Sequence, residues 1–315
     1  MNQPTITVLC LNPALDVTYN VKTFVPDKKN YAHATRFDAG GNGLNVARAL
    51  FRLRLDGFLI APLAGETGRM IARLCDGQMA PPLFMKIPGE SRVNGTVIVE
   101  EAGQQFEING IGPMLPSAVL ERIQTLLLAS ARDGFAVLTG SIPPGVPEII
   151  YAELAKVLKE ENARVIVDAK SSLLRHALSA APFLIKPNRH ELEGLTGLSI
   201  VTLEDALKAS QQVRHQYGIR WVCTSMGEEG AMLIGEEGAW VAKAPKVPVV
   251  STVGSGDSMV AALVAGFAMN QSPAEILKMA VACGSGTAMM PGTELFDPEN
   301  LPGVDEIKFL QSHTA

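Results

Sequence analysis

Aromatic side chains are scarce in this chain. They make up 5% of its 315 residues, with two tryptophans and four tyrosines. The apolar fraction still reaches 47%, which suits an aliphatic α/β core and argues against an aromatic β-sandwich. Cysteine is equally sparse. Cys10, Cys75, Cys223 and Cys283 lie far apart, form no CxxC pair and sit mostly in apolar surroundings. Free buried thiols in a reducing compartment fit that usage. Basic residues do not predominate: 27 Lys and Arg against 32 Asp and Glu leave a net charge of −5. That argues against nucleic acid or an anionic membrane as the main partner, and leaves room for a local phosphate site. No apolar run is long enough to span a bilayer, and no charged-then-apolar leader opens the chain. The expectation is a cytoplasmic protein. The histidines, His33, His176, His190, His215 and His313, lack metal-ligand spacing such as HExxH, so surface or cap roles are expected and no structural zinc.

What the chain does have is a regular alternation of short apolar runs and helical patterns. Strands are predicted at 6–11, 58–63, 136–138, 165–168, 183–185 and 221–225, and a hairpin at 231–241 with its turn at 235–238. Helices are predicted at 44–53, 68–76, 148–161, 203–217, 258–270 and 273–289. Strands separated by helices imply parallel βαβ units, hence an α/β, doubly wound, mostly parallel sheet flanked by helices. The length suffices for one large domain or two small ones. Segments at about 16–37 and 92–108 break the rhythm. They are polar, β-prone and without helical period, so they read as extra strands off the main sheet: surface insertions, or a lid or dimer-forming flap.

Two glycine clusters carry the chemistry. At 251–266, STVGSGDSMVAALVAG places Gly254, Ser255, Gly256 and Asp257 at the start of an apolar helix. Helix N-termini present unpaired N–H groups and a positive dipole end, and glycine lets a ligand approach the backbone closely. A carboxylate there repels phosphate. It makes sense as a base for the group that the phosphate is about to join. By position Asp257 also suits a helix N-cap. At 40–48, GGNGLNVAR opens a second helix. By itself it reads as a tight turn into a helix. It is no GxGxxG fingerprint, because Val46 stands where the third glycine belongs, and no GxxxxGK[ST] loop occurs in the chain.

Together these loops resemble the two signatures of the PfkB (ribokinase-type) carbohydrate kinases. Three further stretches match in order between them: Thr139–Gly145 (TGSIPPG), Lys186–Glu191 (KPNRHE) and Ser225–Gly230 (SMGEEG). The resemblance covers almost the whole chain and implies one ribokinase-like kinase domain over 1–315, with 16–37 and 92–108 as a small β lid. It implies that Asp257 is general base and that the amides of Gly254, Ser255 and Gly256 form an anion hole for the transferred phosphoryl. It implies a Mg²⁺ site, reached through water, at Asn188 and Glu191, though Glu191 also suits a helix start. Lys186 would approach the ATP phosphates. Ser225, Gly227 and Gly230 would form a nucleotide loop, or else an ordinary strand-to-hairpin turn. Gly284 and Ser285 would wall the adenine. Carbonyls near Ser251 and Val253 imply a monovalent cation, K⁺, as a family property.

The opening Leu11–Asp16 (LNPALD) resembles the phosphosugar subset of that family: minor-type 6-phosphofructokinases, 1-phosphofructokinases and tagatose-6-phosphate kinases. Asp16, Gly41 and Asn45 would hold sugar hydroxyls. Arg92 and Ser141 would hold the sugar's phosphate, Arg92 alternatively being a solvated lid residue. The lysine of a GGKG signature is replaced by Asn42, and Lys29 aligns with a lid lysine of the 6-phosphofructokinase group. Asn30 resembles the other two groups, and Asp168-Ala169-Lys170 follows neither pattern. Lys29, Arg92 and Ser141 are expected to form one phosphate clamp, which favours fructose 6-phosphate. A kinase of an unphosphorylated sugar or nucleoside, and a non-catalytic binding regulator, are the competing readings. The lid segments imply a homodimer through lid strands.

Overall fold

The computed structural model describes residues 4–305 and 307–311; His313 lies outside them. In chain order the elements are β1 (Ile6–Leu9), β2 (Ala14–Val21), β3 (Ala34–Gly40), α1 (Asn42–Arg52), β4 (Gly57–Ala64), α2 (Gly65–Cys75), β5 (Leu83–Ile87), β6 (Arg92–Val99) and β7 (Gln104–Ile108). Then follow α3 (Ser117–Ala131), β8 (Phe135–Thr139), α4 (Ile150–Glu160), β9 (Arg164–Asp168), α5 (Ser171–Leu178), β10 (Leu184–Ile185), α6 (Arg189–Thr196) and α7 (Leu203–Tyr217). The chain ends in β11 (Trp221–Ser225), β12 (Ala231–Ile234), β13 (Gly238–Ala242), α8 (Ser255–Ala268), α9 (Pro273–Ala288) and β14 (Lys308–Gln311).

The main sheet has ten strands in the order β14-β13-β12-β11-β10-β9-β8-β1-β4-β5. It is parallel from β5 to β11 and antiparallel beyond, at the β11–β12 hairpin side. Its central strands are runs such as ITVL and FAVLT, buried along their whole length, as strands covered on both faces must be. One face packs on α1, α8 and α9, whose apolar residues join one buried cluster. The other packs on α3 to α7 in a second cluster. The chain crosses from β1 to β4 on one side and returns to β8 on the other. The order therefore reverses at β1, and a crevice opens there at the strands' C-terminal ends.

The segments off the predicted rhythm form a second sheet, β3-β2-β6-β7. Its strands start beside that crevice: Ala14 pairs with both Gly40 and Arg92. The sequence reading does not foresee α3, α5, β5 and β14, and of α6 it gives only a helix start at Glu191. In α3 the buried positions are Ile123, Leu127 and Ala131 at helical spacing, but three consecutive leucines at 126–128 blur the stripe. All four cysteines are free and buried, and burial pushes the Cys10 thiol up to about 11. No helix among the described residues is long and apolar enough to cross a membrane.

Glycine 43 sets how closely α1 lies on β1. A Cβ there would stand 2.5 Å from Cys10 Cβ and 3.0 Å from the Leu9 carbonyl oxygen. We expect Gly43→Ala to destabilise the fold by about 1–3 kcal/mol, because backbone cannot yield, and this outweighs the ordinary helical gain of alanine. Gly194, exposed on α6 with nothing within 4 Å of such a Cβ, is the control. There alanine should stabilise by about 0.5–1 kcal/mol. Urea unfolding of the two variants distinguishes these signs.

Candidate active site

The sequence-predicted residues gather at the C-terminal ends of the parallel strands. Asp168 ends β9, Lys186 follows β10, Ser225 ends β11, and Gly140 and Ser141 follow β8. Ser225 bridges to Asn188, and its amide donates to the Pro187 carbonyl. The stretch 186–191 and the stretch 225–230 are thus neighbours, as a shared ligand would require.

Helix α8 begins at this same edge. Its N-cap is Gly254, held at φ +81°, a left-handed conformation that glycine adopts without strain. Asp257 is therefore not the cap. It lies in the first turn, buried, with its carboxylate turned toward α1. Ser255 N–H donates to the Thr252 carbonyl at 3.3 Å, whereas the amides of Gly254 and Gly256 have no protein acceptor among the described residues. Two of the three expected anion-hole donors are thus free, and the third is weakly engaged. The ammonium of Lys186 lies beside this loop: a Cβ on Gly256 would meet Lys186 Nζ at 3.4 Å.

Lys186 is buried and 3.3 Å from Asp168. Burial opposes its charge, but Asp168 and Glu191 outweigh that and hold the ammonium on. Burial pushes Asp168 upward, with Lys186 pulling it back. Burial also pushes Asp257 up to about 6; the nearby Asp168 adds to this, and Asn45, Asn42 and Lys186 oppose it. A carboxylate with that value is still mostly ionised at neutral pH and more basic than an exposed one.

Asn188 and Glu191 form the capping box of α6. Asn188 Oδ1 accepts from Glu191 N–H at 2.8 Å, and Glu191 Oε2 accepts from Asn188 N–H at 2.9 Å. The second Glu191 oxygen has no protein partner among the described residues. No group of three or more His, Cys, Asp or Glu that could hold a metal occurs among the described residues. What fits is a cation that keeps its water and arrives with a phosphate. Gly227 is open around its Cβ position, at φ +61°. Gly230 is constrained differently: a Cβ would fall 1.9 Å from the Ala242 carbonyl, so hairpin packing alone demands glycine there. Gly284 on α9 abuts the Ser255 carbonyl, placing the neighbourhood of Ser285 beside the α8 turn.

A pocket floored by the second sheet contains Asp16. Asp16 accepts from Asn94 Nδ2 at 2.8 Å and lies over Gly40, where a Cβ would come within 2.0 Å of its carboxylate. Burial pushes Asp16 up to about 6, against the pull of Asn94 and Arg92. Gly41 N-caps α1 at φ +107°. A cavity runs from Asp16, Asn94 and Thr96 to Ser251, Val253 and Gly292. Ser251 Oγ donates to the Gly292 carbonyl at 2.8 Å, and Thr293 Oγ1 is buried there without a partner.

Asn12 joins the two expected phosphate contacts. Its Nδ2 donates to Ser141 Oγ at 3.1 Å, and its carbonyl accepts from Arg92 Nε at 3.1 Å. Nothing in the local pattern of LNPALD signals that role, because the contacts lie 80 and 129 residues away. Lys29 is not brought to them. It is exposed in the stretch 22–33, past the end of β2 at Val21, whereas Arg92 pairs with its start at Ala14. Seven strand steps of about 3.3 Å separate those ends by about 23 Å. Of the three residues expected to form the clamp, Arg92 and Ser141 are joined through Asn12 within one chain. Asn42 and Asn45 both donate to Asp257, and only Asn45 carried a site role in the sequence.

The chain is similar to several known sugar-phosphate kinases. The chain is 33% identical over 305 residues to a 1-phosphofructokinase of Bacillus subtilis, covering 95% of this chain and 98% of that one. It is 34% identical over 287 residues to a tagatose-6-phosphate kinase of Staphylococcus epidermidis, covering 90% and 92%. The solved phosphofructokinase-2 of Escherichia coli, in complex with substrates and products, superposes with a TM-score of 0.90 at 31% identity, covering 94% and 96%. The same enzyme in complex with potassium gives 0.88 over the same coverage. Residues 8–300 match the pfkB family carbohydrate kinases, and with the ribokinase-like fold and both glycine loops in place, the chain belongs to the pfkB family of carbohydrate kinases.

Proposed function

We propose that the protein is an ATP-dependent phosphohexose kinase, acting as one kinase unit whose second sheet is the lid. It moves the γ-phosphoryl of ATP to a hydroxyl of a sugar phosphate, with fructose 6-phosphate preferred and fructose 1,6-bisphosphate as product. The observation that carries the reading is the position of Asp257. Its buried carboxylate stands in the first turn of α8, in the same turn as the free amides of Gly254 and Gly256, and is held by Asn42 and Asn45 at the start of α1, next to Gly40 over which Asp16 lies.

In this reading Asp16, Gly41 and Asn45 hold sugar hydroxyls, and Arg92 with Ser141 holds the sugar's phosphate. Arg92 spends only Nε on Asn12, which leaves its two terminal nitrogens for an anion. Asp257 takes the acceptor's proton. The Gly254–Gly256 turn then receives charge on the phosphoryl, each amide contributing on the order of 3 kcal/mol. Lys186 neutralises phosphate beside it. Ser225, Gly227 and Gly230 shape the nucleotide loop, with Ser285 toward the base. Mg²⁺ enters with ATP and screens its phosphates, and Glu191 with Asn188 would hold it through water. Ser251, Val253 and the orphaned Thr293 hydroxyl suit a monovalent cation such as K⁺.

The preference for fructose 6-phosphate is supported by Asn42, which leaves no lysine after Gly41. The remoteness of Lys29 from Arg92 favours the second reading, fructose 1-phosphate or tagatose 6-phosphate. The small sheet exposes Ile108 (70%), Phe37 and Phe106, and the 22–33 stretch beside it exposes Tyr31 (80%), apolar groups that suit pairing with a second copy into a homodimer.

Release of ADP with fructose 6-phosphate, fructose 1-phosphate, tagatose 6-phosphate, fructose and a nucleoside tests the substrate class. Turnover is expected with phosphorylated hexoses, and turnover only with unphosphorylated acceptors refutes the reading. Arg92→Ala should raise KM for the sugar phosphate about 10- to 100-fold with kcat little changed, the loss of a charge-assisted contact. Asp257→Asn should lower kcat by roughly 10²–10⁴ while ATP and sugar still bind. Because the Asp257 carboxyl stands at about 6, kcat should be level near neutral pH and fall about tenfold per unit below pH 6. Sedimentation should give a dimer that Phe37→Glu converts to monomer.

A further inference from the structure

Both oxygens of the Asp257 carboxylate are held from α1. Asn42 Nδ2 donates to Oδ1 at 2.8 Å, and Asn45 Nδ2 donates to Oδ2 at 2.9 Å. Three residues apart on the first turn of a helix, the two side chains share one face. Asn45 has its own support. Arg48, buried one turn on, donates to Asn45 Oδ1 at 3.4 Å and to the carbonyls of Ala39 and Thr293. That contact turns the Asn45 amide so that its nitrogen faces Asp257. The Asn42 amide oxygen has no such donor among the described residues. It packs against Gly140, where a Cβ would come to 3.0 Å, so the Asn42 amide spans the gap between the β8 loop and the base.

A carboxylate oxygen accepts at two lone-pair sites. With one site on each oxygen filled by an asparagine, one on each is left for a proton, and the plane of the carboxylate is fixed. Glycine at 42 would leave Oδ1 bare, and lysine would set a cation against it. We propose that Asn42 is a positioning residue for phosphoryl transfer, acting through Asp257 by fixing its carboxylate in the orientation that receives the acceptor's proton. This rests on the reading of Asp257 as base. In the step, the acceptor O–H gives its proton to Asp257 as its oxygen bonds to the γ-phosphorus. The bond from phosphorus to the β,γ-bridging oxygen breaks, and ADP leaves with that electron pair.

The charged groups facing Asp257 from the other elements are Asp168 at the end of β9 and Lys186 after β10. They oppose one another at the base. Burial raises Asp257, and the Asn42 donor works against that rise. Removing the donor must therefore move the acid limb of activity to higher pH. A lost hydrogen bond to a charged group corresponds to about one pH unit.

The test is the pH profile of kcat for Asn42→Ala and for the isosteric Asn42→Asp, with each also made in the Asp257→Asn background. Expected is a kcat about tenfold lower for Asn42→Ala, KM for the sugar phosphate roughly unchanged, and an acid limb displaced upward by about one unit. Asn42→Asp should displace it further, since a second carboxylate then faces the first. In the Asp257→Asn background, Asn42→Ala should cost nothing more. An unmoved limb, a raised KM with intact kcat, or a full additional loss in the Asp257→Asn background overturns the inference and leaves the base reading standing. Full turnover by Asp257→Asn alone overturns both.

Discussion

The contact of α1 with α8 is the constraint on which the site depends. These helices lie more than 200 residues apart in the chain and pack side by side on one face of the main sheet. Both helices are rich in buried small residues, Ala47 and Ala49 on α1 and Ala261, Ala262 and Ala265 on α8. Their first turns meet at the crevice, so Asn42 and Asn45 reach Asp257. Without that packing the carboxylate would be a charge buried without hydrogen bonds, which costs several kcal/mol.

The electrostatics follow from the same placement. Asp257, Asp168 and Glu191 surround Lys186 in a region with little water. The cluster tolerates three carboxylates because one ammonium and two asparagine amides offset their repulsion, and because α8 and α6 present their positive ends there. On the proposed reading, a triphosphate entering between the Gly254 turn and the Ser225 loop would meet one buried cation and free amides. It would also meet carboxylates, whose repulsion a divalent cation carried with it would relieve.

Just before the second sheet, one residue organises two distant side chains. Asn12 fixes Arg92 through its carbonyl and Ser141 through its amide. The same sheet is tied to the loop after α9 by Arg36, which pairs with Asp38 and Glu294. That loop lends Gly292 and Thr293 to the Ser251 cavity.

Much was legible from the sequence because it is written in backbone requirements. Glycines at helix starts, the alternation of apolar strands with helices, and the β-prone character of 16–37 and 92–108 are local signals. They sufficed for the α/β sheet, the off-sheet strands and the family. Helix α3 escaped because consecutive leucines hide its stripe. The tertiary structure alone decided the rest: that Gly254 and not Asp257 caps α8, that Gly230 serves a hairpin, that Asn12 links Arg92 to Ser141, and that Lys29 stands outside its own chain's pocket. These are matters of side-chain reach between distant segments. A short sequence window holds no record of them, because the partner of each group is chosen by how helices and sheets pack, not by its neighbours in the chain.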